Sequence, residues 1–389
     1  MKKIVILGST GSIGKSLLRI INRDKNSFNI KLLTAKKNHL ELFRQAKNFK
    51  VKNVILTDKK IFDFCKKKFR QNNIKIFNNY KNLNKILSSK VDYTMCSIVG
   101  IDGLSPTYSL IKHTNNIAIA NKESIICGWN LIIKELKKYK TRFIPVDSEH
   151  FSIWFGLKKN LISSEVNKIY LTASGGPLLN IPIRKFNKLK IADVIKHPNW
   201  NMGKKISVDS ATMINKVFEI IEAKKIFGLN YNQLDILIHP DSYIHSIIEF
   251  KNKMISIIAH ETTMDIPIYN SLYLSENYDR NNYFSILNLE KINKTLLKKV
   301  DIKRYPLVKI INLLTKNDTL FETGLVAAND ELVDLYLRKK IKFNDISTHL
   351  IKILKSKEFL NLKKKYPKNL SDILRVNQNV RITIKNKFN

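Results

Sequence analysis

The sequence predicts an α/β protein: a doubly wound N-terminal domain, a central α+β domain and a small α-helical domain at the C-terminal end. Three observations carry this. Short apolar runs alternate with helical periodicity as far as residue 146. A turn spaced by glycines follows the first of those runs. From Tyr305 onward only the helical period is left. The boundaries follow the same changes: 1–146, 147–275, a polar Asn-, Asp- and Lys-rich linker over 276–304, and 305–389.

Residues 3–7, KIVIL, are a short apolar run suited to a buried parallel strand. Gly8, Gly11 and Gly14 follow, and then a helical pattern over 15–22 with Leu17, Leu18 and Ile21. Strand, glycine turn and helix in that order make a Rossmann-like dinucleotide site: the backbone can approach a pyrophosphate, and the helix N-terminus faces it. The next strand, 30–33, runs into Thr34, Ala35, Lys36, Lys37 and Asn38. An NAD site would place Asp or Glu there for the ribose 2′-hydroxyl. Two lysines suit a 2′-phosphate instead, hence NADP. Further strands are expected at 54–57, 75–77, 92–97 and 116–120, with helices at 61–70 and 83–87. The strand at 116–120 ends in Asn121, Lys122, Glu123 and Ser124, and ligands of doubly wound sheets gather at such ends.

The strand at 142–145 delivers Asp147, Ser148 and Glu149. Along an extended segment Asp147 and Glu149 point to one side. Paired carboxylates need a proton or a cation between them, and oxygen-only ligands suit Mg²⁺ or Mn²⁺. Residues 169–177 form a strand ending in Ser174-Gly175-Gly176, either an oxyanion or phosphate nest or a plain tight turn. The stretch from His197 to Glu222 changes character halfway. Its first half is loop-like, with Pro198, Asn199, Asn201 and Gly203. Its second half is helical, with Met213, Val217, Ile220 and Ile221 at helical spacing and Asp209 or Ser210 as N-cap. Asn215, Glu219 and Glu222 form one stripe on that helix. Its start suits a phosphate and its carboxylates a metal; an amphipathic surface helix is the plainer alternative. Trp200 is either a plug in a lid over the ligand or packed on the body. His239 and His245, around the strand at 234–239, are either catalytic or, as expected for each, hydrogen-bonded structural histidines, and 247–250 with 254–259 form a hairpin. Helices are expected at 307–314, 324–337, 345–354 and 357–364.

The formal net charge is +37, but the lysines are spread along the whole chain among many Asn and Ile residues. That is a compositional drift, not a basic patch, so no nucleic-acid partner is expected; an anionic small substrate gains from the same field. No apolar run approaches the roughly 20 residues of a spanning helix, and no leader segment is visible, so the expected setting is the cytoplasm, without a membrane partner. Cys65, Cys96 and Cys127 lack metal-ligand spacing and are expected as reduced core residues.

The motifs GSTGSIG at 8–14, ANKES at 120–124, DSEH at 147–150, SGGP at 174–177, HPNWNMGKKISVDSAT at 197–212, NK at 215–216 and HPDSYIHS at 239–246 resemble the 1-deoxy-D-xylulose 5-phosphate reductoisomerase family, with VAAND at 326–330 echoing a further motif. The resemblance implies a homodimer, its central domain also carrying the dimer contacts. It implies NADPH and a divalent metal, Mg²⁺ or Mn²⁺ with Co²⁺ a further candidate. It implies rearrangement of the phosphorylated ketose by retro-aldol cleavage and re-addition, then reduction to 2-C-methyl-D-erythritol 4-phosphate in isoprenoid precursor synthesis.

Position by position, the resemblance gives Asp147, Glu149 and Glu219 as metal ligands and Ser174, Ser210, Asn215 and Lys216 as phosphate contacts. Lys122, Ser148 and His197 would meet the carbon skeleton and Trp200 would cover it; Lys122 and His197 join the acids as catalytic candidates. Thr10, Gly11, Ser12, Ile13, Lys36, Lys37, Asn38, Asn121, Glu123 and Gly203 would contact NADPH. The chain departs from the family at Lys36, where glycine is usual, and at Thr262-Thr263-Met264-Asp265, where Pro-Asp-Met-Arg is usual. The rival readings are a metal-independent NADP dehydrogenase of a small hydroxy or semialdehyde substrate, and a basic nucleic-acid-binding protein on an inactive scaffold.

Overall fold

A computed structural model describes residues 1–160, 164–200, 202–274 and 288–388. The chain forms two compact units. The first comprises Met1–Ser124, Asn130–Asp147 and Met264–Asp279. The second comprises Ile125–Trp129, Ser148–Thr263 and Arg280–Asn389.

The first unit is built on a seven-stranded sheet: β1 (Lys2–Leu7), β2 (Phe28–Ala35), β3 (Asn53–Leu56), β4 (Lys75–Phe77), β5 (Val91–Cys96), β6 (Thr114–Ile119) and β7 (Arg142–Pro145), in the order β4-β3-β2-β1-β5-β6-β7. Every neighbouring pair is parallel. Such a sheet is covered on both faces, which is why Ile4, Val5, Ile6 and Leu7 are all fully buried despite pointing alternately up and down. Strand order reverses at β1, so the crevice for a ligand opens beyond the carboxyl end of that strand. The turn there requires Gly8 and Gly14. Gly8 has φ +78°, and a Cβ on Gly14 would lie 2.6 Å from the Gly8 carbonyl oxygen. The helix Ser12–Arg23 follows, burying Leu17, Leu18, Ile20 and Ile21.

Asp265 opens the helix Asp265–Tyr273, in the same unit. Both of its carboxylate oxygens accept from Arg19 of the Ser12–Arg23 helix, at 2.7 and 2.9 Å. Arg19 therefore neutralises Asp265 locally.

The second unit holds a five-stranded sheet: β8 (Val166–Ala173), β9 (Leu234–Ile238), β10 (Ile244–Phe250), β11 (Ile255–Ala259) and β12 (Lys298–Lys299), in the order β11-β10-β8-β9-β12. Only β8 and β9 run parallel. The helix Ile214–Phe227 packs against β8 and β9 and is buried nearly all round, so it is a core helix and not a surface one. Helices Leu320–Leu337, Phe343–Leu354, Lys357–Leu362 and Leu370–Phe388 complete the unit.

Three expectations need correction. Within the expected linker, the described residues form a helix, Leu289–Asn293, and the edge strand β12, paired with β9; 276–287 lie outside the described residues. Exposed lysines read as loop but are also what a sheet edge tolerates. The segment Pro306–Leu313 is a 3₁₀-helix with Pro306 in its first turn. The last helix, Leu370–Phe388, lies beyond the expected helices; it buries Ile373, Val380 and Ile384 and packs on Leu320–Leu337. Cys65, Cys96 and Cys127 are buried free thiols. Among the described residues no helix is long and apolar enough to cross a membrane.

Candidate active site

At the carboxyl end of the first sheet, Thr10 and Gly11 lie in the turn after β1, Ser12 and Ile13 open the helix that follows it, and Lys36 and Lys37 follow β2 as exposed side chains. Lys36 swings outward: its Nζ meets Asp102 Oδ2 at 2.7 Å, in an ion pair exposed on both sides. Asn38 caps the helix His39–Asn48, accepting from the Glu41 amide at 3.1 Å. Asn121 caps the helix Lys122–Lys138, accepting from the Ser124 amide at 2.6 Å. Its amide nitrogen donates to the carbonyls of Ile98 and Gly100 and, at 3.3 Å, to Glu123. Asn121 thereby ties the loop after β5 to the one after β6. Lys122, at the start of its helix, pairs with Asp147, in the same unit.

One peptide bond beyond Asp147 the helix Ser148–Gly156 begins. Asp147 and Glu149 are therefore not neighbours along an extended strand. Glu149 stands in the first turn of a helix, where the unpaired N–H groups favour an acid. The helix starts there because Phe151, Ile153 and Trp154 are buried by its packing on β10 and β11. Glu149 Oε2 accepts from Ser148 Oγ at 2.5 Å, and Glu149 Oε1 meets Lys216 Nζ at 2.6 Å. Lys216 also pairs with Glu219, whose Oε1 accepts from Asn215 Nδ2 at 2.6 Å. Burial pushes the Lys216 pKa down, but Glu149 and Glu219 beside it win, and it is raised above its ordinary value. One carboxylate oxygen from each of Asp147, Glu149 and Glu219 lies within 4.8 Å of the others. This is an all-oxygen donor set of the kind hard divalent cations take. His150 has no marked role in the sequence beyond its place in DSEH. It is fully buried, with Nε2 2.9 Å from the Glu219 carbonyl oxygen, so it joins the helix of Glu149 to that of Glu219.

The third group surrounds Ser174. Gly175 and Gly176 both have positive φ, +84° and +66°. A Cβ on Gly176 would lie 2.8 Å from the Ser210 carbonyl oxygen, so this turn rests directly on the segment of Ser210. Ser174 Oγ accepts from the Gly176 amide at 3.0 Å and lies 3.0 Å from His197 Nε2. His197 Nδ1 accepts from the backbone amides of Asn199 and Trp200, at 3.1 and 3.0 Å. Two donors on Nδ1 leave the ring proton on Nε2, which donates to Ser174. Burial lowers the His197 pKa to about 4, so the ring is neutral near neutral pH. With two donors already on its oxygen, the Ser174 hydroxyl has its own hydrogen left to give.

Asp209 and Ser210 do not cap a helix. They lie inside the helix Lys204–Ala211, which begins after Gly203. The break falls at Met213, held at φ +65°, and the next helix starts at Ile214. Apolar Met213 is buried there, and packing overrides the local preference for a polar cap. Asn215 and Lys216 consequently occupy the first turn of Ile214–Phe227. Glu222 is fully buried, with Oε2 3.9 Å from His150 Nδ1. Trp200 is half-buried, edge-on to His245 at 6.2 Å, and His245 stacks on His260 at 3.7 Å. His239 accepts from the Tyr243 amide at 3.0 Å, a structural role. Asn201 lies outside the described residues.

Family models described as 1-deoxy-D-xylulose 5-phosphate reductoisomerase match residues 4–128, as its C-terminal domain residues 143–227, and as the DXP reductoisomerase C-terminal domain residues 260–383. A 1-deoxy-D-xylulose 5-phosphate reductoisomerase of Pelagibacter ubique is 54% identical over 386 residues, covering 99% of both chains. The crystal structure of the Zymomonas mobilis enzyme in complex with NADPH is 28% identical, with a TM-score of 0.87 over 100% of this chain and 99% of that one. A DOX-P reductoisomerase in complex with NADPH, fosmidomycin and magnesium superposes with a TM-score of 0.90 at 28% identity, over 100% of this chain and 98% of that one. The chain belongs to the 1-deoxy-D-xylulose 5-phosphate reductoisomerase family.

Proposed function

We propose that this chain converts 1-deoxy-D-xylulose 5-phosphate into 2-C-methyl-D-erythritol 4-phosphate, with NADPH as reductant and a divalent cation as Lewis acid. The observation that carries this is the grouping of Asp147, Glu149 and Glu219 next to Lys216 and Asn215. A cation site and a helix start suited to phosphate share residues in one place. The oxygen-only set suits Mg²⁺, Mn²⁺ or Co²⁺, and the bound ion supplies charge stabilisation to the substrate's oxygens as the skeleton rearranges.

The chain's own groups bind and orient. Ser174, Ser210, Asn215 and Lys216 hold the phosphate, the Ser174 hydroxyl hydrogen being left to donate by the His197 tautomer. Lys122, Ser148 and His197 face the carbon skeleton, and Trp200 covers it. Thr10, Gly11, Ser12, Ile13, Lys36, Lys37, Asn38, Asn121, Glu123 and Gly203 take the cofactor, the two lysines choosing NADPH through its 2′-phosphate. The functional division is a cofactor part to residue 146, a catalytic part over 147–275 and a helical part over 305–389. A homodimer is the proposed assembly: β11 is an edge strand with Ile255 and Ile257 exposed, 60% and 55%, and a second copy would cover it. The three buried free thiols support a reducing, cytoplasmic setting.

The test is NADPH oxidation by the purified protein with 1-deoxy-D-xylulose 5-phosphate, with and without Mn²⁺. Turnover that EDTA abolishes and Mn²⁺ restores supports the reading. EDTA-insensitive turnover of another carbonyl substrate points to a plain dehydrogenase. Salt-sensitive nucleic-acid binding without turnover points to the inactive scaffold.

A further inference from the structure

The segments of the serines assigned to the phosphate are held by hydrogen bonds from residues of the C-terminal part, none of which is proposed above to touch a ligand. Tyr305, almost fully buried, donates its hydroxyl hydrogen to the Gly175 carbonyl at 2.7 Å, across 130 positions of sequence. That carbonyl belongs to the peptide leading into Gly176, whose amide donates to Ser174 Oγ. Fixing it fixes the turn that presents Ser174. The same turn touches the backbone of Ser210, because a Cβ on Gly176 would meet the Ser210 carbonyl at 2.8 Å.

The helix carrying Ser210 is held by a second contact. Asn329, fully buried, donates from Nδ2 to Asp209 Oδ1 at 2.8 Å, across 120 positions. Asp209 is 1% exposed, and an ionised carboxylate only accepts, so the amide orientation follows from its partner. The other Asp209 oxygen meets Lys205 Nζ at 2.9 Å, and Lys205 also reaches Asp330 Oδ1 at 2.9 Å. Without Asn329 a buried carboxylate oxygen would lose its donor. Leaving such an oxygen unpaired is costly enough that the last turn of Lys204–Ala211 would shift toward water. The shift would pass to Ser210, the next residue, and through the Gly176 contact to Ser174.

We infer that Tyr305 and Asn329 are positioning residues for phosphate recognition, setting the spacing of Ser174 and Ser210 without touching the substrate. This rests on the assignment of those two serines under Proposed function. Oriented hydrogen-bond donors must be held within about 0.5 Å of the productive geometry. Two long-range hydrogen bonds, one to the turn and one to the helix, meet that demand.

The experiment compares the full-length protein with Tyr305→Phe, Asn329→Ala, and the exchange Asp209→Asn with Asn329→Asp. Each is assayed for kcat and KM with the phosphorylated ketose, for inhibition by inorganic phosphate, and for NADPH affinity. In Tyr305→Phe and Asn329→Ala, KM and the phosphate inhibition constant rise together by about 10-fold, with kcat and NADPH affinity changed by less than about 2-fold. The exchange variant, which restores an amide–carboxylate pair in the opposite sense, regains most of the loss. An unchanged phosphate inhibition constant overturns the inference, as does an equal loss for phosphate and NADPH, the mark of general destabilisation. Should Asn329→Ala fail to fold, Tyr305→Phe, which removes one oxygen and keeps the ring, decides alone. Should the unaltered protein not turn over the ketose, the activity assignment fails; direct phosphate binding by calorimetry then still tests the positioning role.

Discussion

Lys216 Nζ and Glu149 Oε1 meet at 2.6 Å although 67 residues separate them in the chain. The contact joins the first turns of two helices, Ser148–Gly156 and Ile214–Phe227. A residue suited to phosphate thus neutralises a residue suited to a cation. Both helix starts collect charge for the same reason, their unpaired backbone N–H groups.

Glu219 is buried and accepts from Asn215 while pairing with Lys216. Glu219→Gln keeps the shape and removes the charge. At saturating Mg²⁺, kcat falls by about 100-fold or more while the circular dichroism spectrum is preserved. A kcat equal to that of the parent would remove Glu219 from the set of metal ligands.

Lys36 and Lys37 are exposed after β2, and Lys36 already pairs with Asp102 across an exposed contact that costs little to break. NADPH is therefore preferred over NADH. Replacing both lysines with alanine lowers kcat/KM for NADPH by about 10-fold or more and leaves the NADH value within about 2-fold. Equal kcat/KM for the two cofactors in the parent protein contradicts this.

Trp200 is half-buried, and its neighbour among rings is His245, at 6.2 Å. Trp200→Ala raises KM for the ketose by about 10-fold and moves Tm by only a few degrees. Normal kinetics with a large drop in Tm would make the indole a packing residue.

His197 has its pKa lowered by burial to about 4, below its ordinary 6.5. The folded state resists a proton that the unfolded state takes up. The stability contribution of the neutral ring is complete above about pH 6.5 and is lost as pH falls toward 4. Thermal melts between pH 7 and pH 4.5 should show a steeper loss of Tm for the parent than for His197→Asn. Parallel pH profiles for the two would mean that His197 is not held neutral by the fold.

Much of the molecule was legible in its residues. KIVIL before Gly8, Gly11 and Gly14 specified a buried parallel strand and a turn that only glycine can form, because these are local steric facts. The same holds for the alternating strands and helices of the first unit and for the absence of an acid after β2. The acids, the serines and the lysine of the candidate site could be named as chemistry, one motif at a time.

Tertiary packing decided the rest. It ended one helix at Ala211 and began the next at Ile214, because burying Met213 outweighed the capping preference of Asp209 and Ser210. It put Glu149 in a helix turn and turned a lysine-rich stretch into the edge strand β12. It also chose the partners of the buried charges: Lys216 for Glu149, Asn329 for Asp209 and Arg19 for Asp265. Periodicity and turn chemistry act over a few residues and are written in the order of the chain. The neutralisation of a buried charge depends on what the fold brings beside it, and that partner can stand more than a hundred positions away.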